Sequence, residues 1–214
     1  MDIFESGIPN IRIRNIGTKR KPLEVVEARI VLEAWDGYLY KHRENGKEIT
    51  DGKITLNFDY YNGNNPQGYR AEINAYNHLL KNQYEIRDGI IRTLREKFDW
   101  LKATYDWDQD NEITPETIAD FDFKRFIGPL YVNFVDESKD DISYLEWHFQ
   151  CEWDEEHGLA VITHETRVID LDRGETDFWK IYEDNGTLAE KREEYDGTAK
   201  NYKPKVVKPW WKFW

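Results

Sequence analysis

The sequence predicts an α+β domain in which an αα-hairpin packs on one face of an antiparallel β-sheet. Short runs of β-branched and aromatic residues, punctuated by Asn-Gly and Asp-Gly pairs, precede residue 62 and return after residue 129, as is typical of antiparallel strands. Two segments with apolar residues at helical spacing lie between them. With 9 Trp, 13 Tyr and 10 Phe in 214 residues, the chain can bury the core of one domain.

The first part of the chain predicts a meander of strands. A short edge strand is predicted over residues 11–16, and the basic loop Gly17–Pro22 follows it. We interpret this loop as a solvated connection, with an anion-binding patch as the alternative. Asp-Gly and Asn-Gly pairs then delimit three further strands, predicted over residues 23–35, 38–40 and 53–60.

Two helices are predicted in the middle of the chain, over residues 67–81 and 85–104. The first carries an apolar stripe at steps of three and four residues, and Asn82 is a plausible end because asparagine tolerates left-handed geometry. Because the connection is short, the two helices are expected to form an antiparallel hairpin.

The acidic stretch after the helices resembles part of a calcium-binding loop. Asp106, Asp108 and Asp110 occupy the first, third and fifth positions of an EF-hand pattern, but Thr117 stands where a bidentate glutamate is needed. The preferred interpretation is therefore an acidic loop before a short helix over residues 115–121. Calcium binding is kept as the alternative, and no other cofactor is expected.

A β-hairpin and a third strand are predicted over residues 144–171. Pairing Trp153 with Gly158 places Trp147 and its alternate neighbours on the core face, with Cys151 as an inert member of the core. In this register His148 and His164 point to opposite sides of the sheet, so they are not expected to share a metal.

The polar loop of this hairpin contains the candidate catalytic residues Asp154, Glu156 and His157, together with Glu155. A histidine near carboxylates can transfer protons or bind a metal. The same residues also suit an ordinary turn, in which Asp154 accepts a backbone hydrogen bond and Gly158 takes a positive φ. We prefer the structural interpretation, because the chain contains no P-loop, G-x-S-x-G, H-E-x-x-H or G-x-G-x-x-G motif.

Residues 1–182 are predicted to form one domain, and residues 183–214 a charged C-terminal tail. The tail is poor in aliphatic residues over much of its length and contains two prolines. It ends in an aromatic cluster that we expect to dock on the body of the protein or on a partner. This cluster consists of Trp210, Trp211, Phe213 and Trp214.

Charge and composition narrow the classes of partner. The net charge of −12 disfavours nucleic acids and anionic membranes, which bind through Lys and Arg, and favours a basic protein partner. A single cysteine cannot form an internal disulfide, which suggests a reducing compartment. The sequence begins without a leader-like pattern and has no apolar run of membrane-spanning length, so a cytoplasmic location is expected.

The heptapeptide W-D-E-E-H-G-L at residues 153–159 resembles the hairpin signature W-D-x-E-H-G-[LI] of an uncharacterised bacterial family, a domain of unknown function. The segment N-P-Q-G-Y-R-A-E-I-N-A-Y-N-H-L-L-K-N at residues 65–82 is similar to the start of that family's helix. The resemblance covers about residues 25–182. It implies a mixed α and β domain without an assigned activity, and, because members often lie near polymorphic toxins, an immunity or accessory role.

Three functions therefore follow from the sequence. The first is a non-catalytic protein-binding protein, such as an immunity protein for a basic toxin. The second is a hydrolase-type enzyme that uses the loop at residues 154–157. The third is a calcium-binding protein that uses the acidic stretch beginning at Asp106.

Overall fold

Seven strands form one sheet in which spatial order follows chain order, in a computed structural model that describes residues 3–15, 24–43, 46–58, 69–104 and 121–201. The strands are β1 (Arg12–Asn15), β2 (Glu24–Arg43), β3 (Gly46–Phe58), β4 (Ile127–Lys139), β5 (Ile142–Cys151), β6 (Asp154–His164) and β7 (Arg167–Arg173). The α-helices are α1 (Arg70–Glu96), α2 (Phe98–Thr104), α3 (Trp179–Asn185) and α4 (Leu188–Asn201), and short 3-10 helices cover Ile3–Glu5 and Phe123–Arg125.

The predicted α+β class is confirmed, but one pair of strands in the middle of the sheet is parallel. Leu56 of β3 lies beside Val132 of β4 in a parallel ladder, whereas the other neighbouring pairs of the described sheet are antiparallel. Parallel neighbours require a crossover connection. Helices α1 and α2 lie in that crossover.

Two of the predicted turns are bulges inside long strands. Strand β2 runs through Asp36-Gly37 and strand β3 runs through Asp51-Gly52. Asp36 and Asp51 are cross-strand partners, and Gly37 and Gly52 have φ angles of +76° and +78°. Glycine adopts such angles without steric cost, so each strand absorbs an irregular residue and continues instead of reversing.

The predicted helical hairpin is not confirmed, because α1 continues through its expected turn. Asn82 has non-helical angles (φ −117°, ψ 21°), and its Nδ2 donates to the carbonyl oxygen of His78 at 3.0 Å. These angles kink the helix without reversing it. Helix α2 begins just after the end of α1, as the C-terminal part of the predicted second helix.

The main core lies between α1 and one face of the sheet. Trp35 of β2 and Trp147 of β5 have no exposed surface, and their ring centroids are 5.8 Å apart. Leu79 and Ile90 of α1 belong to the same buried cluster. The indole Nε1 of Trp147 donates to Thr163 Oγ1 at 3.0 Å, which satisfies a buried donor that would otherwise destabilise the core.

The region predicted as an extended tail from residue 183 contains the end of helix α3 and the whole of helix α4, up to Asn201. Ile181 of α3 packs against Val135, Tyr144 and Ile162, which lie on the face of the sheet opposite α1. Helix α3 therefore covers one part of that second face. Its Asp184 accepts hydrogen bonds from three residues of the sheet: Tyr144 Oη at 2.8 Å, Arg167 Nη1 at 2.8 Å and Lys139 Nζ at 3.2 Å.

Replacement of Gly128 by alanine is expected to destabilise the fold by about 3 kcal/mol. A Cβ at Gly128 would lie 1.4 Å from the backbone oxygen of Leu39, which cannot move without distorting β2. Urea unfolding of Gly128→Ala and of the wild type measures the loss. Gly197→Ala is the control, because a Cβ there meets nothing within 4 Å and alanine favours helix. Equal losses in both variants would contradict the close approach of β2 and β4.

Replacement of Asp184 by asparagine is expected to reduce the free energy of unfolding by about 2 kcal/mol at pH 7. The hydrogen bonds from Arg167 hold the pKa of Asp184 well below its usual value, although burial acts in the opposite direction. The carboxylate therefore stabilises the fold above the unfolded-state pKa near 3.9, and this contribution is lost as the pH falls through the lowered folded-state pKa.

The measurement is urea unfolding of Asp184→Asn at pH 7 and pH 3. The difference from the wild type should shrink at pH 3. Glu183→Gln is the matched control, because the ion pair that the Glu183 carboxylate forms among the described residues, with Lys180, is mostly exposed; this change should alter stability by less than about 0.5 kcal/mol. A pH-independent difference for Asp184→Asn would refute the ionic role of Asp184.

Candidate functional site

The loop predicted from the sequence is the start of strand β6, and Asp154 is its centre. Asp154 Oδ1 accepts from the backbone N–H of His157 at 2.9 Å, and Oδ2 accepts from Arg173 Nε at 2.6 Å. The Nδ1 atom of His157 lies 3.1 Å from Asp154 Oδ1 and 3.0 Å from Arg173 Nη2. Gly158 follows with a φ of +67°. These contacts have the form expected of a structural turn.

Burial alone would raise the pKa of Asp154, but the hydrogen bonds from His157 and Arg173 outweigh it, and the pKa lies below its usual value. The carboxylate is only 7% exposed, whereas the side chain of His157 is 47% exposed. An ionised carboxylate that is held by an arginine is a poor general base. The arrangement therefore favours a structural role for Asp154 and leaves His157 accessible.

The hairpin register differs from the predicted one. Phe149 lies opposite Leu159 and Trp147 opposite Val161, because the strands are joined at Glu152-Trp153 and a bulge follows. The shift is an odd number of residues, so it moves the β6 side chains to the other face. His148 and His164 therefore lie on the same face, where His148 stacks on Tyr131 and His164 contacts Tyr144.

The two histidines have separate surroundings despite sharing a face. His148 Nε2 lies 3.0 Å from Glu146 Oε2, whereas His164 Nε2 lies 3.1 Å from the carbonyl oxygen of Lys139. Within the described ranges, no group of three or more His, Cys, Asp or Glu side chains is arranged to hold a metal ion.

The end of the sheet near Asp154 is strongly acidic. Residues 152–156 and 170–177 contain many carboxylates and one basic residue, Arg173. Backbone contacts bring the two segments together, since the N–H of Gly174 donates to the carbonyl oxygen of Gly158 at 3.1 Å. We call this surface the acidic end; its carboxylates belong to Glu152, Asp154, Glu155, Glu156, Asp170, Asp172, Glu175 and Asp177.

A second candidate site lies on the face of the sheet opposite α1, in the part that α3 does not cover. We call this part the open face. A row of cross-strand partners runs across all seven strands on the face opposite α1, and its five polar members on β1 to β5 belong to the open face. In strand order the row consists of Arg12, Glu27, Asn57, Asn133, Glu146, Ile162 and Asp170.

Glu27 anchors one end of this row. Its side chain is 2% exposed, and its two oxygens accept from Arg12 Nε at 2.7 Å and from Arg14 Nε at 2.8 Å. A buried carboxylate requires such partners, because an unpaired charge in this position would be strongly destabilising. Arg29 lies two residues further along β2, on the same face.

Glu146 anchors the β5 end of the five polar members of the row. Its oxygens accept from Asn133 Nδ2 at 2.9 Å and from Thr176 Oγ1 at 2.9 Å, in addition to the contact with His148. Burial would raise the pKa of Glu146, but the hydrogen bonds from His148, Asn133 and Thr176 outweigh it, and the pKa lies below its usual value. Glu146 is therefore an ionised, fully engaged side chain.

A cleft of about 540 Å³ lies between these two ends. The amide of Asn57 connects them, since its Nδ2 donates to Asn133 Oδ1 at 3.0 Å. The Oδ1 atom of Asn57 is buried and has no hydrogen-bond partner among the described residues. Apolar side chains complete the walls of the cleft; they include Val25, Leu130, Tyr131 and Phe178.

Sequence reasoning missed the open face because its residues come from five strands. The available signal was the alternation of polar side chains with buried apolar ones, as at Glu146-Trp147-His148. That pattern shows that one face is polar. It does not show which strands are neighbours, so the row could not be assembled from the sequence.

Other predicted residues are either in the core or outside the described ranges. Cys151 is fully buried, and burial raises the pKa of its thiol, in keeping with an inert core position. The calcium candidates Asp106, Asp108 and Asp110 lie outside the described residues, as do the basic loop at residues 17–22 and residues 115–120 of the predicted short helix; Phe121, its last residue, is described and is not helical. The aromatic candidates Trp210, Trp211, Phe213 and Trp214 also lie outside them. Where the chain is described, no helix is both long enough and apolar enough to span a membrane.

Removal of the Asp154 side chain is expected to lower the free energy of unfolding by about 2 kcal/mol, because the hydrogen bonds from His157 N–H and from Arg173 Nε to this carboxylate are lost. Urea unfolding of Asp154→Ala at pH 7 measures this loss. Glu156→Ala is the neighbouring control and should change stability by less than about 0.5 kcal/mol, since Glu156 is exposed. Similar values for the two variants would argue against the turn-forming role of Asp154.

Comparison with known proteins assigns a family but no activity. No curated protein and no solved structure matches the chain. The family described as "Domain of unknown function (DUF6985)" matches residues 34–178, a range that begins within β2 and contains α1, the row residues from Asn57 to Asp170 and the acidic end. Since this match covers more than half of the sequence, the chain belongs to the DUF6985 family of domains of unknown function.

Proposed function

We propose that this protein is a non-catalytic protein-binding protein, an immunity or accessory protein whose partner is a basic protein such as a toxin. The observation that carries the proposal is the acidic end, where β6, β7 and the following segment contribute many carboxylates and one basic residue, Arg173, which pairs with Asp154. This surface would attract a positively charged partner and accelerate encounter.

The acidic end is suited to binding because it combines a rigid base with accessible charge. Asp154 fixes the start of β6 through hydrogen bonds from His157 and Arg173, and the backbone N–H of Gly174 donates a hydrogen bond to the carbonyl oxygen of Gly158. Glu155 and Glu156 are exposed on this base. A backbone that is already held in place loses little conformational entropy when its charged side chains bind a partner.

The net charge of −12 supports the same proposal. It makes nucleic acid and anionic membranes poor partners and is consistent with action in the cytoplasm on a cationic protein. The aromatic cluster at residues 210–214 is proposed as a secondary contact with the partner.

The hydrolase alternative rests on the contact between His157 Nδ1 and Asp154 Oδ1. It requires His157→Ala to abolish a hydrolytic activity without changing the melting temperature. We favour the binding function because Arg173 contacts both groups and holds Asp154 ionised. The calcium alternative requires the melting temperature to respond to calcium and to a chelator.

The affinity for the partner is expected to fall about tenfold in the double variant Glu155→Gln/Glu156→Gln, since two charges leave the interface. The full-length chain and the variant are each used as bait in lysate of the native host, and the captured protein is identified. Its dissociation constant is then measured by calorimetry at about 0.05 M and about 0.5 M salt. Affinity should be lower at high salt because the charges are screened.

The matched control is Glu190→Gln/Glu193→Gln, which removes two exposed charges from α4. Lys191 of α4 pairs with Glu137 near the β4–β5 connection, at the end of β5 opposite the acidic end. It should bind like the wild type. Equal affinity of both double variants, or an affinity that is independent of salt, would overturn the proposal that the acidic end is the binding surface.

A further inference from the structure

We propose that the cleft in the open face binds a small ligand with a carboxylate at one end and an N–H donor at the other, the chemistry of a free amino acid with an apolar side chain. This inference goes beyond the proposed function and concerns a different surface. It rests on Arg14 and Arg29, on the amide of Asn57 and on apolar side chains, all of which line one cleft.

The arginine excess lies at the β1–β2 end of the cleft. Arg12 and Arg14 share the single carboxylate of Glu27. Arg29 also lines the cleft, and among the described residues no side chain forms an ion pair with it. Two guanidinium groups thus contact one carboxylate, and a third, that of Arg29, lines the cleft beside them. The remaining donors suit a second carboxylate, which arginine binds through two parallel hydrogen bonds.

The amide oxygen of Asn57 supplies the complementary acceptor. Asn133 fixes the orientation of this amide, because its own Nδ2 is committed to Glu146 and its Oδ1 accepts from Asn57. The Oδ1 of Asn57 is left without a partner in the described part of the chain. An unsatisfied buried acceptor is unfavourable, so a ligand N–H that reached it would be stabilised.

The cleft walls and the charge of the protein favour a zwitterion over a dianion. Leu130, Tyr131 and Phe178 offer apolar and aromatic surface. The ring of Tyr131 stacks on that of His148, with the ring centroids 4.5 Å apart. A volume of about 540 Å³ is in the range of small-molecule sites. The net charge of −12 opposes a free dianion, whereas the ammonium group of an amino acid cancels its carboxylate.

The test uses the full-length chain and four probes in calorimetric or NMR titrations: L-phenylalanine, phenylacetate, phenethylamine and inorganic phosphate. Phenylacetate lacks the ammonium group and phenethylamine lacks the carboxylate. L-phenylalanine is expected to bind most tightly and phenylacetate more weakly. Phenethylamine and phosphate are expected not to bind at concentrations at which L-phenylalanine saturates the protein.

Arg29→Gln is expected to weaken L-phenylalanine binding about tenfold, and Arg29→Lys less, because lysine keeps the charge but loses the paired donors. Arg92→Gln is the control, since Arg92 is an exposed arginine of α1. Both Arg29 variants should keep the wild-type melting temperature, because the side chain is exposed and forms no ion pair with a described residue.

Three outcomes would overturn the inference. Equal binding of phenylacetate and L-phenylalanine would remove the role of the N–H donor, and tighter binding of phosphate would assign the cleft to another anion. Unchanged binding in Arg29→Gln would place the ligand elsewhere. None of these results depends on the acidic end, so the partner proposal stands or fails separately.

Discussion

The parallel pairing of β3 with β4 is the constraint on which the rest of the fold depends. Two parallel neighbours cannot be joined by a tight turn, so the chain must cross over one face of the sheet. The helices of that crossover, α1 and α2, cover the face that carries Trp35 and Trp147. The antiparallel connections between β4 and β7 are short and contain no helix, so the second face stays uncovered until α3 reaches Tyr144.

This asymmetry explains the side-chain pattern of the central strands. On β5, Trp147 and Phe149 enter the covered core, and Glu146 and His148 point to the other side. A sheet with one buried face needs apolar residues at alternate positions only. The remaining positions are then free to be polar, and here they form a connected row in which Asn133 joins Glu146 to Asn57.

The sequence predicted those features that depend on local periodicity. The apolar stripe from Tyr69 to Leu80 identified the first part of α1, and the turn chemistry of Asp154 and Gly158 was predicted from residue type. Long-range features were not accessible in the same way. Asp36-Gly37 is a hairpin turn or a bulge depending on whether the flanking strand finds a partner beyond it, and that partner is β3.

The hairpin register shows how a local error changes a functional interpretation. Strand periodicity assigns alternate residues to one face, but it does not say how many residues form the turn. A connection at Glu152-Trp153 in place of a four-residue loop moved His164 to the face of His148. Prediction of the open-face cleft would also have required the strand order, because its arginines and its amides come together only when β1 to β5 are neighbours in sequence order.

The segment after β7 connects the acidic end with the wall of the open-face cleft. Thr176 Oγ1 donates to Glu146, the backbone N–H of Asp177 donates to Asp170 at 2.9 Å, and Phe178 lines the cleft. A partner that displaced this segment would therefore alter a cleft wall, and a ligand that ordered Phe178 would order the acidic end. Linkage requires such an effect to be reciprocal, so partner and ligand affinities would change by the same factor. The coupling would pass through the hydrogen bonds of this segment. Such a chain of contacts is a physical route for coupling, whereas closeness of two sites in space is not by itself evidence of one.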